Sequence, residues 1–78
     1  MADRVRIYVR QQCHLCDEAV AVARTVAAEY GTGVELVDID ADPALRERYT
    51  DQVPVTLVDG RQHDYWRVDA DRLRRALR

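Results

Sequence analysis

The sequence predicts an α/β domain in which a βαβ unit is followed by ββα, giving a four-stranded mixed sheet with flanking helices. Three observations predict it. Short runs rich in β-formers recur at 4–9, 34–39 and 53–58, and a more polar run ends near Trp66. Helical periodicity takes over at 14–30 and again at 70–77. Between these segments Gly31, Asp42-Pro43 and Asp59-Gly60 supply the turn and capping chemistry that separates elements.

Arg4-Val5-Arg6-Ile7-Tyr8-Val9 alternates, with Val5, Ile7 and Val9 on one face of a first strand. The polar loop Arg10-Gln11-Gln12 follows and delivers Cys13. From His14 onward Leu15, Ala19, Val22, Ala23, Val26 and Tyr30 fall on one helical face, which makes Leu15 the expected first core residue of that helix. Asp17 and Glu18 lie in the first turn, where the helix dipole favours acids, and Gly31 provides the left-handed stop.

Val34–Ile39 reads as a second strand, parallel to the first because a helix connects them. Asp42 is placed as N-cap and Pro43 at N1 of a short second helix carrying Leu45 and Tyr49, fraying at Thr50-Asp51. Val53–Val58 forms a third strand with Pro54 near its start, since proline cannot donate to a ladder. Asp59-Gly60 signals a hairpin into a fourth strand through His63 and Tyr65 to Trp66. Alternation on that strand predicts one of Tyr65 and Trp66 buried and the other exposed. Asp69 caps a terminal helix whose Ala70, Leu73, Ala76 and Leu77 face inward.

At 78 residues the chain suits one domain, residues 1–78, with one modest core and no separate cofactor domain. A hydrophobic fraction of 47% beside 33% charged residues belongs to a globular protein, not a disordered tail. Net charge of −2 gives no basis for nucleic-acid or anionic-membrane binding. The start Met1-Ala2-Asp3-Arg4 lacks the apolar stretch of a signal peptide, and no run approaches the ~18 apolar residues of a membrane helix. A cytoplasmic, monomeric protein is expected.

Cys13-His14-Leu15-Cys16 carries the chemistry. These are the only two cysteines in the chain, so neither a framework disulfide nor a four-cysteine metal cage competes for them. C-x-x-C beside a βαβ pattern in a reducing compartment reads as a thioredoxin-like redox motif. Bridging two cysteines three apart would cross-link too little chain to stabilise the fold appreciably. Cys13, arriving from a loop at the helix start, is the expected nucleophile, because unpaired N–H groups and the dipole favour thiolate there. Cys16, one turn on and on the same side, is the expected resolving thiol. His14, when protonated, could add positive charge beside the thiolate, or stand solvated without influence.

This order of elements, with Arg10 three residues before the first cysteine, the Cys13/Cys16 pair and Val53-Pro54 before the third strand, resembles glutaredoxin, and more closely the small glutaredoxin-like thiol oxidoreductases of bacteria. The resemblance spans essentially the whole chain and implies a thioredoxin-like fold of glutaredoxin type. It also implies that Pro54 follows a cis peptide and faces the dithiol, and that Arg10 steers anionic substrates or binds the carboxylate of a small thiol. Asp69 keeps the family's acidic position. Two departures stand out. His14-Leu15 replaces the usual central Pro-Tyr, and Tyr65-Trp66-Arg67-Val68 stands where the family has a Gly-Gly step that lets backbone approach glutathione.

The functional expectation is a small dithiol–disulfide oxidoreductase acting through Cys13 and Cys16. Arg10, His14, Val53, Pro54 and Asp69 surround the substrate, and no bound cofactor is required. Its partners would be a disulfide-containing protein or small thiol, and a thiol or flavoprotein reductase as electron donor. A competing expectation is a binding module, either an iron–sulfur or metal carrier or a docking domain on the same scaffold. His63 would add a nitrogen donor to Cys13, His14 and Cys16, but a residue on the fourth strand does not easily share one tetrahedral centre with the helix start. No metal ligand is therefore assigned.

Overall fold

The computed structural model describes residues 3–78; Met1 and Ala2, which the readings above of a single domain and of a start unlike a signal peptide include, lie outside the described residues. Strands β1 (Val5–Val9), β2 (Val34–Asp38), β3 (Val55–Val58) and β4 (Arg61–Tyr65) alternate with helices α1 (His14–Glu29), α2 (Pro43–Tyr49) and α3 (Ala70–Leu77) in the order βαβαββα. The sheet order is β2-β1-β3-β4, with β1 and β2 parallel and the other pairs antiparallel. The fold class read from the sequence is the one observed.

The sheet buries both faces because its strands alternate. Val5 and Ile7 point to one side and, with Val58, meet Ala23, Val26 and Ala27 of α1 and Leu73 and Leu77 of α3. Tyr8, Val55 and Leu57 point to the other side, where Ile39 and Tyr49 close a smaller cluster around the short helix α2. Tyr8 and Tyr49 stack there with ring centroids 4.8 Å apart.

Local chemistry sets the ends. Gly31 takes φ +69°, and Thr32 and Gly31 donate back to the carbonyls of Ala27 and Ala28, so two of the last free acceptors of α1 are satisfied. Asp42 accepts from Ala44 N–H at 2.9 Å with Pro43 beginning α2, and Asp69 accepts from Arg72 N–H at 3.0 Å at the head of α3. Asp59 and Gly60 both have positive φ, as a tight two-residue hairpin requires.

Several boundaries differ from the sequence reading. Strand β2 ends at Asp38, whose carboxylate accepts Asp40 N–H at 2.9 Å and turns Ile39–Ala41 into a single 3₁₀ turn. Strand β3 starts at Val55 and not Val53, because Pro54 has no N–H to give to a ladder. Strand β4 ends at Tyr65. Trp66 has φ +66°, which breaks alternation, so Tyr65 and Trp66 are both half exposed where one had been expected inside. Leu15 is likewise exposed. The buried stripe of α1 runs through Cys16, Ala19, Ala23, Val26 and Ala27, one residue off the predicted start.

Candidate active site

The α1 N-terminus is built around Cys13. Gln12 turns the loop with φ 56°, and Cys13 sits at the N-cap in extended conformation. Its Sγ accepts the Cys16 N–H at 3.2 Å and its carbonyl accepts the Asp17 N–H at 3.1 Å. A sulfur in the place of a capping oxygen thus receives one of the orphan donors of the first turn, and the dipole adds partial positive charge at the same point. Cys13 and Cys16 are joined as a disulfide, with Cα atoms 5.2 Å apart. Their surroundings differ. Cys13 is half-buried, whereas Cys16 is 2% exposed and belongs to the packed face of the helix.

The remaining predicted residues distribute unevenly. His14 points outward, its side chain 87% exposed, and its Nε2 meets Glu18 Oε1 at 3.3 Å one turn along the helix. Charge on His14 would be answered by Glu18 as much as by sulfur. Pro54 lies one residue beyond the Tyr8–Val55 pair, at the end of the sheet from which the Arg10–Gln12 loop departs. The peptide before it is cis, as the resemblance implied. Pro54 is buried and its carbonyl accepts Trp66 N–H at 2.8 Å, while Val53 packs against the α2 cluster. Asp69 stands at the N-cap of α3, where the Arg72 backbone N–H above all holds its carboxyl below the usual carboxylate range.

Two residues unnoticed in the sequence shape the surroundings. Asp40 Oδ2 accepts the Arg10 Nε–H at 3.2 Å, and Arg10 Nη2 completes the ion pair 3.1 Å from Oδ1, which itself makes no hydrogen bond. Asp51 offers its carbonyl to Trp66 Nε1 at 2.9 Å, pinning the indole. Tyr65 meets Trp66 edge to face at 5.0 Å. On one flank of α1 a cleft of about 130 Å³ is bordered by Leu15, Val22, Trp66 and Val68. On the other flank Val9, Arg10, Cys16 and Leu36 border one of about 300 Å³. No signal within a single element could reveal the Asp40 and Asp51 contacts, which span 30 and 15 residues of chain.

His63 stands apart from the dithiol. It occupies the irregularity of β4 where pairing with β3 slips between Thr56 and Leu57, beside a cleft reaching Val58, Asp59 and Ala76. Those residues lie towards the Val5 end of β1, away from the Cys13 end. Among the described residues no group of three or more His, Cys, Asp or Glu side chains is placed to hold a metal ion. Burial first, and Arg72 next, lower the His63 pKa from 6.5, against an opposing effect of Asp64, and its Nε2 is buried without a hydrogen-bond partner. The unfolded chain therefore binds a proton on His63 more readily than the native one, so this group costs stability as pH falls below about 6.5 and nothing above it. Thermal unfolding followed from pH 8 to 5 should show an acid-side decline that is shallower in His63→Gln than in the parent; equal slopes would mean that His63 is not held neutral.

The chain matches the model of a glutaredoxin-like domain (DUF836) over residues 4–78. An uncharacterised protein of Mycobacterium tuberculosis is 34% identical over 76 residues, covering 91% of this chain and 78% of that protein. The X-ray structure of a structural-genomics target protein from X. campestris is 39% identical with a TM-score of 0.77, covering 94% of this chain and 93% of that one. A mutant thioredoxin from Halobacterium salinarum superposes with a TM-score of 0.64 at 26% identity, covering 96% of this chain and 73% of that one.

Proposed function

This chain belongs to the glutaredoxin-like domain (DUF836) family within the thioredoxin-like superfamily, and we propose that it is a small dithiol–disulfide oxidoreductase working through Cys13 and Cys16. One observation carries the reading. A half-exposed cysteine caps a helix, takes an N–H bond on its sulfur, and is bonded to a buried cysteine one turn away.

In the reduced protein the Cys13 thiolate attacks one sulfur of a substrate disulfide. A Cys13–substrate S–S bond forms, the substrate bond breaks, and the departing thiolate takes a proton from solvent. Cys16, deprotonated in turn, attacks Cys13 Sγ, releases the second substrate thiolate and closes the internal disulfide. The substrate has gained two electrons and the protein has lost them; a thiol or flavoprotein reductase returns the pair. The N–H bond to Cys13 Sγ and the helix dipole stabilise thiolate both as attacking group and as leaving group. This cycle suits a monomer in a reducing cytoplasm. Among the described residues no helix is long and apolar enough to cross a membrane.

Glutathione should be a poor donor. The side chains of Tyr65 and Trp66 fill the region where the resemblance leads one to expect bare backbone. The two charged anchors left, Arg10 and Asp69, are already engaged by Asp40 and by the α3 N-terminus. Exposed charge contacts of about 0–1 kcal/mol each do not replace a shape-matched slot. In an NADPH-coupled panel, glutathione with its reductase should recycle the protein at least about tenfold more slowly than the best of thioredoxin reductase and other small thiols, a gap of ~1.4 kcal/mol. Rapid and exclusive recycling by glutathione would show that the aromatic pair leaves the site open. Recycling by no donor would remove the oxidoreductase reading itself.

A further inference from the structure

Arg10, beside the dithiol, is paired within the chain. Arg10 lies three residues before Cys13 and borders the same cleft as Cys16. A guanidinium there would draw anionic thiols and disulfides to the reacting sulfur, and its planar fork would seat a carboxylate on two parallel N–H bonds. That seat is taken. Asp40 fills it from within the chain, with a hydrogen bond from Arg10 Nε to Oδ2 and an ion-pair contact between Nη2 and Oδ1.

Asp40 is held in place by its own surroundings. Its backbone N–H is fixed to Asp38 Oδ1 at 2.9 Å, and its neighbour Ile39 is fully buried in the α2-side cluster. Asp40 Oδ1 is sealed from solvent and makes no hydrogen bond, so the charge of Arg10, with Nη2 at 3.1 Å, is what offsets its burial. Both side chains are only about one-third exposed (36% for Arg10 and 32% for Asp40), so the pair is not simply a solvated surface contact.

We propose that Asp40 is a specificity-determining residue: by forming an ion pair with Arg10 it presents the dithiol with a neutral pair, and so withholds the preference for carboxylate-bearing small thiols that a free Arg10 would confer. The proposal takes Cys13 as the reacting sulfur, as the oxidoreductase reading does. Neutral or protein disulfides are then handled without competition from abundant small anions.

The test reads Cys13 chemistry directly and needs no turnover. Reduced protein is alkylated under pseudo-first-order conditions with iodoacetate, an anion, and with iodoacetamide, its neutral analogue. The ratio of the two rates reports local charge, because any change in thiolate fraction affects both reagents equally. Asp40→Asn should raise the iodoacetate-to-iodoacetamide ratio by about 3–10-fold at low salt, and the gain should shrink as salt rises towards ~0.5 M. Arg10→Gln alone should lower the ratio by uncovering Asp40. The double variant, again neutral, should return to within about twofold of the parent. An unchanged ratio in Asp40→Asn, or a gain that survives loss of Arg10, overturns the proposal. If Asp40→Asn folds poorly, the expected fall in Arg10→Gln and its reversal in the double variant decide the matter. A protein that shows this pattern yet turns over no disulfide would keep the charge assignment and lose the oxidoreductase reading.

Discussion

Replacing Cys13 with serine should reduce disulfide-reductase activity by at least a factor of ~10³, because a serine hydroxyl supplies no thiolate to attack sulfur. The fold should survive, since serine is itself a favoured N-cap and can take the bond that Cys16 N–H now makes to Sγ. Replacing Cys16 has a different outcome. The first attack still occurs, but nothing resolves the product, and mass spectrometry after incubation with an oxidised thiol should find one adduct, on Cys13. The asymmetry follows from position: Cys13 is half open at the helix cap, whereas Cys16 is 2% exposed. Serine at position 16 would bury a hydroxyl, at a cost of about 1–3 kcal/mol if it is left unpaired, so Cys16→Ala is the cleaner second variant. Adduct formation on Cys16 in the Cys13 variant at a comparable rate would reverse the two roles.

The parts of this molecule that could be read from its sequence are those decided within a few residues. Period-2 runs located the strands, and the Asp42, Asp69 and Gly31 caps fall where local hydrogen-bond chemistry puts them. Cys13 could be placed at the helix start because loop, cysteine and first-turn acid adjoin one another in the chain. What was missed depends on geometry accumulated over distance. Leu15 and Cys16 differ by one position on the helix, and only the docking of α1 on Val5 and Ile7 decides which turns inward. Trp66 reads as strand by composition, yet its positive φ allows its N–H to reach Pro54 and its indole to reach Asp51, both contacts being tertiary. Arg10 sits at the expected place beside the dithiol. Its partner comes from the turn after β2, which no spacing rule connects to it.

Leu73→Ala should be the most damaging single change to the fold, lowering stability by about 2–5 kcal/mol. Leu73 is fully buried, and its cluster joins α3 to Val5 and Ile7 of the sheet and to Ala23, Val26 and Ala27 of α1. Alanine loses the transfer free energy of three carbons and leaves a cavity, and rigid strand residues on one side give it little chance to collapse. The eight-residue α3 is otherwise held by Leu77, by the partly buried Ala70 and Ala76, and by polar contacts at its rim such as Arg4 Nη1 to the Leu77 carbonyl at 2.8 Å. Leu77 is buried beside it, and Arg74 bonds Glu29 of α1 at 2.9 and 3.0 Å, but that pair is exposed on the surface. A domain of 78 residues has a total stability of roughly 4–12 kcal/mol, so the loss is a large share of it. The midpoint of thermal unfolding should fall by roughly 10–30 °C, with the internal disulfide kept oxidised throughout. Leu15→Ala is the matched control: the same atoms are removed from an exposed site, and the change should stay within about 1 kcal/mol. Because Asp69 begins α3 and Val68 precedes it, loosening the helix also disturbs the cleft that Trp66 and Leu15 border. A Leu73→Ala protein within 1 kcal/mol of the parent would mean that α3 is not part of the cooperative core, and that the cleft bordered by Leu15 and Trp66 is held by the sheet and α1 alone.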